Sequence, residues 1–302
     1  MSDPVLAALS SFFQSRQRES RRVFHGRGKI HPGFEHICID WYSPTLLITV
    51  YEPECHLDSI LSAVEDSDIH SQVTSILLQM RYKTGSPAKT LKGKVPNRVL
   101  IFEDGLSFEV HLGTQQNSGF FLDMRPLRGW IKANSSHKNV LNLFAYTCSF
   151  SVAALAGGAK SVTNVDMSKT SLRWGLLNHS HNHQDCRLVN QIPHNIFTSW
   201  GRIKQLGRYD LLIIDPPTRQ HRSFNAEKNY AAIIKRIPQV CNDGADIIAT
   251  LNSPFLDKKF LLGKFARHAP TAEFIASIPA SPEFRDKHPE KALKILRFKH
   301  RF

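Results

Sequence analysis

Apolar residues recur at helical spacing over 3–18 (Leu6, Leu9, Phe12, Phe13) and again over 69–82, so both stretches are expected to be helices. HICIDWY and TLLITVY flank Ser43-Pro44 and predict a strand pair. RVLIFEDGLSFEVHL (98–112) alternates on both sides of Asp104-Gly105, the pattern of a hairpin. Then the rhythm changes. VLNLFA (140–145) precedes a small-residue helix over 149–159, and SVTNVD (161–166) precedes a helix over 169–181. LLIID (211–215) precedes a helix over about 224–237, ADIIATLN (245–252) leads into one near 257–267, and KALKILRFKHRF alternates like a closing strand. Strand–helix alternation of this kind predicts an α/β fold, a Rossmann-like, doubly wound and mostly parallel sheet. A smaller α+β domain precedes it: residues 1–97 form that domain with a basic linker, 98–125 a connecting hairpin segment, and 126–302 the large domain.

Charge sharpens the picture. The chain has 302 residues with 39 Lys and Arg against 26 Asp and Glu, a formal net charge of +13, which favours a polyanionic partner. From Arg81 to Arg98 six basic residues occur without one acid, among Gly85, Pro87, Gly93 and Pro96, the composition of a mobile basic linker. The five cysteines are scattered without a CxxC pair, and the histidines at 179, 181 and 183 have no acid at ligand spacing, so no metal site is expected. The first residues lack a basic region ahead of an apolar run, and no stretch approaches a membrane span. A cytoplasmic protein is expected.

The chemistry gathers at strand ends, where open α/β sheets bind ligands. In LLIIDPPT (211–218) two prolines follow an aspartate, so the strand stops at Asp215 and the chain leaves it extended. NLFAYTCSFS (142–151) holds no glycine where a dinucleotide fold needs GxGxxG, which counts against a nicotinamide enzyme. Asp166, ending the next strand, can accept hydrogen bonds from both ribose hydroxyls; its alternative role is a helix N-cap. A ribose acid without a pyrophosphate turn suggests an adenosyl cofactor without a diphosphate, and S-adenosylmethionine meets that description.

SGFFLDMRPLR (118–128), LNLFAYT (141–147), VDMSKTSLRWGLLNHSHN (165–182) and IDPPT (214–218) together resemble the bacterial large-subunit rRNA methyltransferases of the K/I family. The wording is closer to the guanine-N7 member than to the cytosine-C5 member. The resemblance covers about 100–255 well and implies a class I S-adenosylmethionine-dependent methyltransferase acting on 23S rRNA. It implies that Phe121, Asp123 and Arg125 border the methionine end of the cofactor. Asn142, Phe144, Ala145, Tyr146 and Thr147 would form the loop after the first strand of the large domain. Asp166, Met167 and Ser168 would hold the ribose and adenine. Asn195, where the family usually has aspartate, and Ile196 would meet the adenine edge, and Asp215, Pro216 and Pro217 would face the transferred methyl.

A cytosine-C5 enzyme of that family needs a cysteine at the end of the fifth strand. Here ATLNSP (249–254) offers Asn252 and Ser253 instead, so direct transfer to a ring nitrogen is expected, with Asn252 joining Asp215 on the base edge. Cys148 is expected to pack rather than react. Arg219, His221 and Arg222 suit an RNA backbone with Phe224 available for stacking, and Lys89, Lys92 and Lys94 suit it from the linker. Two other readings stay open: an RNA-binding protein with the fold but little turnover, motivated by Asn195, and a small-molecule methyltransferase, which the charge disfavours.

Overall fold

A computed structural model describes residues 3–53, 56–217, 219–220 and 224–302. The chain forms two compact units, residues 1–123 with 281–288, and residues 124–280 with 289–302.

The first unit opens with helix α1 (Pro4–Phe13), whose N-cap Asp3 accepts from the Val5 amide at 2.8 Å. Val5, Leu9 and Phe13 turn inward together, as their spacing dictates. Strands β1 (Arg21–His25), β2 (Ile37–Tyr42) and β3 (Thr45–Val50) follow, with β2 and β3 antiparallel as their sequences predict. Helix α2 (Leu57–Ser67) crosses over to β4 (Ser75–Met80), which pairs parallel to β3, and β5 (Ala88–Lys92) closes the order β1-β2-β3-β4-β5. Two expectations fail here. Residues 69–82 are not a helix, because SILLQM is covered on both faces and shows no alternation. The basic stretch after Arg81 is not linker throughout, because β5 occupies part of it as an edge strand. The hairpin β6 (Val99–Glu103) and β7 (Leu106–Val110) turns at Asp104-Gly105, both with positive φ, the type I′ geometry that two-residue hairpins favour. Residues 281–288 rejoin this unit: the Lys287 amide donates to Gly28 O at 2.7 Å, and Arg22 lies 4.5 Å from the Phe284 ring centre.

The second unit begins at helix α3 (Arg125–Asn134) and is built on a seven-stranded sheet. Its elements in chain order are β8 (Asn139–Leu143), α4 (Ser149–Ala156), β9 (Ser161–Val165), α5 (Lys169–His181), β10 (Val189–Ile192) and α6 (Trp200–Gln205). Next come β11 (Tyr209–Ile214), the short pair β12 (Arg219–Gln220) and β13 (Phe224–Asn225), α7 (Ala226–Ile234), α8 (Ile237–Val240) and β14 (Cys241–Leu251). Helix α9 (Lys258–His268), β15 (Ala272–Ile278) and β16 (Lys294–His300) finish it. The order β10-β9-β8-β11-β14-β16-β15 reverses direction between β8 and β11. That reversal opens a crevice at the carboxyl ends. The first five strands in this order run parallel, and β16 lies antiparallel between β14 and β15.

Charge secures β14 to its neighbours. The buried Asp246 carboxylate accepts from Lys138 at 2.8 Å, from Arg297 at 2.9 and 3.0 Å, and from Lys299 at 3.4 Å. Burial alone would raise its pKa, but the hydrogen bond and charge of Lys138, with Arg297 and Lys299, overcome this and hold it below the ordinary carboxylate range. A lowered pKa stabilises the fold above the unfolded value, and that contribution is lost as pH falls through the folded one. Asp246→Asn should therefore cost about 3–5 kcal/mol at neutral pH, the scale for breaking a buried pair. In acid melts the gap between wild type and variant should narrow below about pH 4. A gap that stays constant down to pH 2, on the same principle, would show that the charge contributes nothing.

Candidate functional site

Register brings the chemistry of the second unit together. Leu143 aligns with Val165, so the loop after β8 leaves the sheet level with Asp166. Ile214 aligns with Ala249, so Asp215 emerges opposite Thr250.

The loop after β8 is strained and held. Phe144, Tyr146 and Cys148 all have positive φ (60°, 47° and 63°), which costs a non-glycine residue about 1–2 kcal/mol each. Several bonds offset this cost. The Tyr146 amide donates to Asp166 Oδ2 at 2.9 Å, the Ala145 amide to Val165 O at 3.1 Å, and Asn178 Nδ2 to Thr147 O at 2.9 Å. The other Asp166 oxygen accepts from the Ser168 amide at 2.8 Å. Capping of α5 falls to Ser168, whose hydroxyl accepts from the Ser171 amide at 3.1 Å. Asp166 therefore orients the loop with a carboxylate whose remaining lone pairs can accept two hydroxyls.

Beside it lies a cleft lined by Phe144, Asp166, Met167, Asn195, Ile196, Phe197 and Phe224. The walls are apolar apart from one carboxylate and one amide. That donor set fits an adenosine: a flat ring between hydrophobic side chains, a diol at Asp166 and an amino group at Asn195. Asn195 Oδ1 already accepts from the Phe197 amide at 2.9 Å, and an amide oxygen can take a second bond.

Asp215 accepts from the Thr250 hydroxyl. Tyr230, fully buried, brings one hydroxyl within 2.9 Å of Thr250 O and 3.3 Å of Ile214 O, tying the ends of β11 and β14. Burial, then the Asp215 charge, pushes the Tyr230 phenol well up, so it stays a neutral donor. Asp215 does not cap α7, whose N-cap is Asn225. Pro216 is buried and Pro217 exposed.

Asn142 and Phe224 do not stand where their places in the sequence suggest. Asn142 is fully buried and donates to Asn164 at 2.9 Å, because it points into the sheet interior rather than the cleft. The chain of bonds continues through Ser151 to His179, which faces Gln184 on its other nitrogen. Burial lowers the His179 pKa to about 4, with the Gln184 bond opposing, so the ring is neutral at pH 7. Ala145 and Thr147 are buried, contributing loop backbone more than surface. Ser168 is an exposed cap. Phe224, expected to stack on RNA, is buried against Phe144, with ring centres 5.0 Å apart, and walls the adenosine-like cleft instead. Asn252 is exposed just past β14. Phe121 and Asp123 belong to the first unit and line its own cleft, whereas Arg125 starts α3 of the second. Lys89, Lys92 and Lys94 are exposed. His221 and Arg222 lie outside the described residues, and only the backbone of Arg219 is described. Sequence reasoning missed Phe197, Thr250 and Tyr230; for Thr250 the strand register was the available signal. Among the described residues no three metal-ligating side chains converge.

Residues 21–299 match the family model of S-adenosylmethionine-dependent methyltransferases. The chain is 32% identical over 269 residues to YwbD of Bacillus subtilis (strain 168), named provisionally as a ribosomal RNA large subunit methyltransferase, covering 84% of this chain and 66% of that one. It is 30% identical to the ribosomal RNA large subunit methyltransferase K/L of Hahella chejuensis (strain KCTC 2396), covering 82% of this chain and 35% of that one. The chain thus spans just under two thirds of the first relative and about a third of the second. Among solved structures, a protein of Streptococcus mutans named provisionally as an S-adenosylmethionine-dependent methyltransferase shares the fold, with a TM-score of 0.85 at 24% identity, over 99% of this chain and 82% of that one.

The strained loop has one further support. A Cβ on Gly175 of α5 would stand 2.3 Å from Cys148 Sγ and 2.7 Å from its Cβ, so only glycine lets the helix approach. Cys148 itself is fully buried, and burial followed by the Asp166 charge pushes its thiol up and keeps it protonated. Gly175→Ala should cost about 1–3 kcal/mol by overpacking and speed hydrogen exchange at the Tyr146 amide. Adding Cys148→Gly, which removes the clash at a position with positive φ, should restore most of both. A double variant no better than Gly175→Ala alone would place the strain elsewhere.

Proposed function

Because this chain belongs to the S-adenosylmethionine-dependent methyltransferases, we propose that it methylates large-subunit ribosomal RNA, at a ring nitrogen such as guanine N7, without a covalent enzyme–base adduct. The observation that carries this reading is the pairing of a cleft whose lining suits an adenosine, beside β8 and β9, with an oriented carboxylate at the end of the adjacent β11. The names of the relatives support an rRNA substrate, and the net charge of +13 suits one.

Bound S-adenosylmethionine supplies a methyl group on a positively charged sulfur. Phe144, Met167, Ile196, Phe197 and Phe224 would hold the adenine, Asp166 the ribose, and Asn195 the adenine amino group. Asp215, fixed by Thr250, and the Pro216 carbonyl hold the acceptor base, with exposed Asn252 on the same edge. Guanine N7 would attack through its in-plane lone pair as the sulfur–methyl bond breaks and leaves its electron pair on sulfur; N7 carries no proton, so no general base is required. It needs orientation at near-attack distance and a counter-charge for the ring that becomes cationic. Asp215 provides both. Cys148 and Cys241 are buried with thiols pushed up by burial, which fits a mechanism without a thiolate.

Asp166→Ala should weaken S-adenosylmethionine binding by about 1.5–3 kcal/mol in calorimetry, the scale for hydrogen bonds to a charged group. Unaltered affinity in a folded variant would remove the ribose assignment. A wild-type chain that gives no binding heat would favour the reading of an RNA-binding protein without turnover, which Asn195 motivates.

Asp215→Asn and Asp215→Ala should lower single-turnover methylation of an rRNA fragment by on the order of 10²-fold while cofactor affinity changes far less. A melting temperature that falls in step with the rate would make Asp215 a structural residue only.

A further inference from the structure

The first unit carries a second cleft, lined by its own residues. Its floor is the sheet, through Tyr42 of β2, Thr49 of β3 and Gln79 of β4. One wall is the loop after β7, which presents Gln115, Gln116 and Asn117. That loop is anchored from below: Gln79 Nε2 donates to Gln115 O at 3.1 Å and Arg81 Nη1 to Gln116 O at 2.7 Å. The anchors consume backbone carbonyls and leave the loop's three exposed side-chain amides out of these bonds.

Charge decides what such a cleft suits. Arg22 is spent: Nε and Nη2 meet the two Asp40 oxygens at 2.5 and 3.1 Å, and Nη1 meets His25 Nδ1 at 2.6 Å. Asp40 cancels its charge, so the cleft is not a polyphosphate site. The Arg81 side chain donates to Gln116 O and lies 5.9 Å from the Tyr51 ring centre, to which Arg27 comes within 4.1 Å. The inventory is therefore three loop amides that both donate and accept, planar groups for stacking, Arg81 as a cation, and His111 and Asp123 along the lining. Amides read the edges of bases, aromatic and guanidinium planes stack on their faces, and a single arginine suits one phosphate.

We infer that this cleft binds one unpaired nucleobase of the RNA, its edge against Gln116 and Asn117 and its adjoining phosphate at Arg81. The inference rests on the proposed RNA substrate and adds a recognition site in the first unit.

The test measures binding of the full chain to a short labelled single-stranded RNA and to its abasic counterpart with the same phosphates. Wild type should prefer the base-bearing RNA. Gln116→Ala with Asn117→Ala, both exposed and outside the fold's packing, should lose roughly ten-fold in affinity for that RNA, the size of one base contact, and little for the abasic strand. Arg81→Ala should weaken both. Affinity for S-adenosylhomocysteine should stay at the wild-type value in every variant. Equal binding of the two strands by wild type, or a full preference retained in the amide double variant, overturns the inference while RNA methylation by wild type still supports the proposed function. A wild type that neither binds nor methylates RNA overturns both. Loss of S-adenosylhomocysteine affinity alongside RNA affinity assigns the cleft to the cofactor and overturns the inference alone.

Discussion

The second unit depends on one hydrogen bond, from the Tyr146 amide to the Asp166 carboxylate. It joins the loop after β8 to the end of β9, next to the point where the sheet reverses direction. A loop with three left-handed non-glycine residues has no reason to hold its shape alone. Asp166 fixes it from one side, and α5 fixes it from the other through Asn178 and the bare face of Gly175. The same carboxylate is the group proposed to hold the ribose, so loop geometry and ligand binding share one side chain.

A parallel logic governs β11 and β14. Thr250 orients Asp215, and Tyr230 bridges the two strand ends with a neutral hydroxyl. Thr250 holds the carboxylate itself, and Tyr230 holds the two strand ends that carry it. The site is thus made of paired strand ends, each pair carrying one acid and one group that aims it.

Much of this was legible in the residues. The Rossmann-like sheet showed itself because each parallel strand ends in a turn signal and is followed by helical periodicity. Asp166 and Asp215 stood out as candidates because an acid closing an apolar run has few structural uses. Other features were hidden for physical reasons. β4 lies beneath side chains on both faces, so its apolar run carries no period that separates strand from helix. Asn142 reads as a strand-end contact in sequence, yet strand residues alternate sides, and its side faces Asn164 inside. Phe224 follows a basic stretch and looked like a surface aromatic, whereas tertiary packing turns it onto Phe144. Thr250 and Tyr230 acquire their roles only once β11 and β14 are in register.

The return of residues 281–288 to the first unit has a consequence for how the chain is made. Lys287 bonds to Gly28, and Phe284 covers the guanidinium of Arg22, so part of this unit's packing is encoded after β15. On a ribosome adding about 5–20 residues per second, these residues emerge roughly 8–30 s after Asp123. During that interval the buried Arg22–Asp40 pair is open on the side that Phe284 will occupy. Synthesis therefore cannot complete the two units strictly one after the other: the last contacts of the first unit must wait until nearly all of the second has been translated.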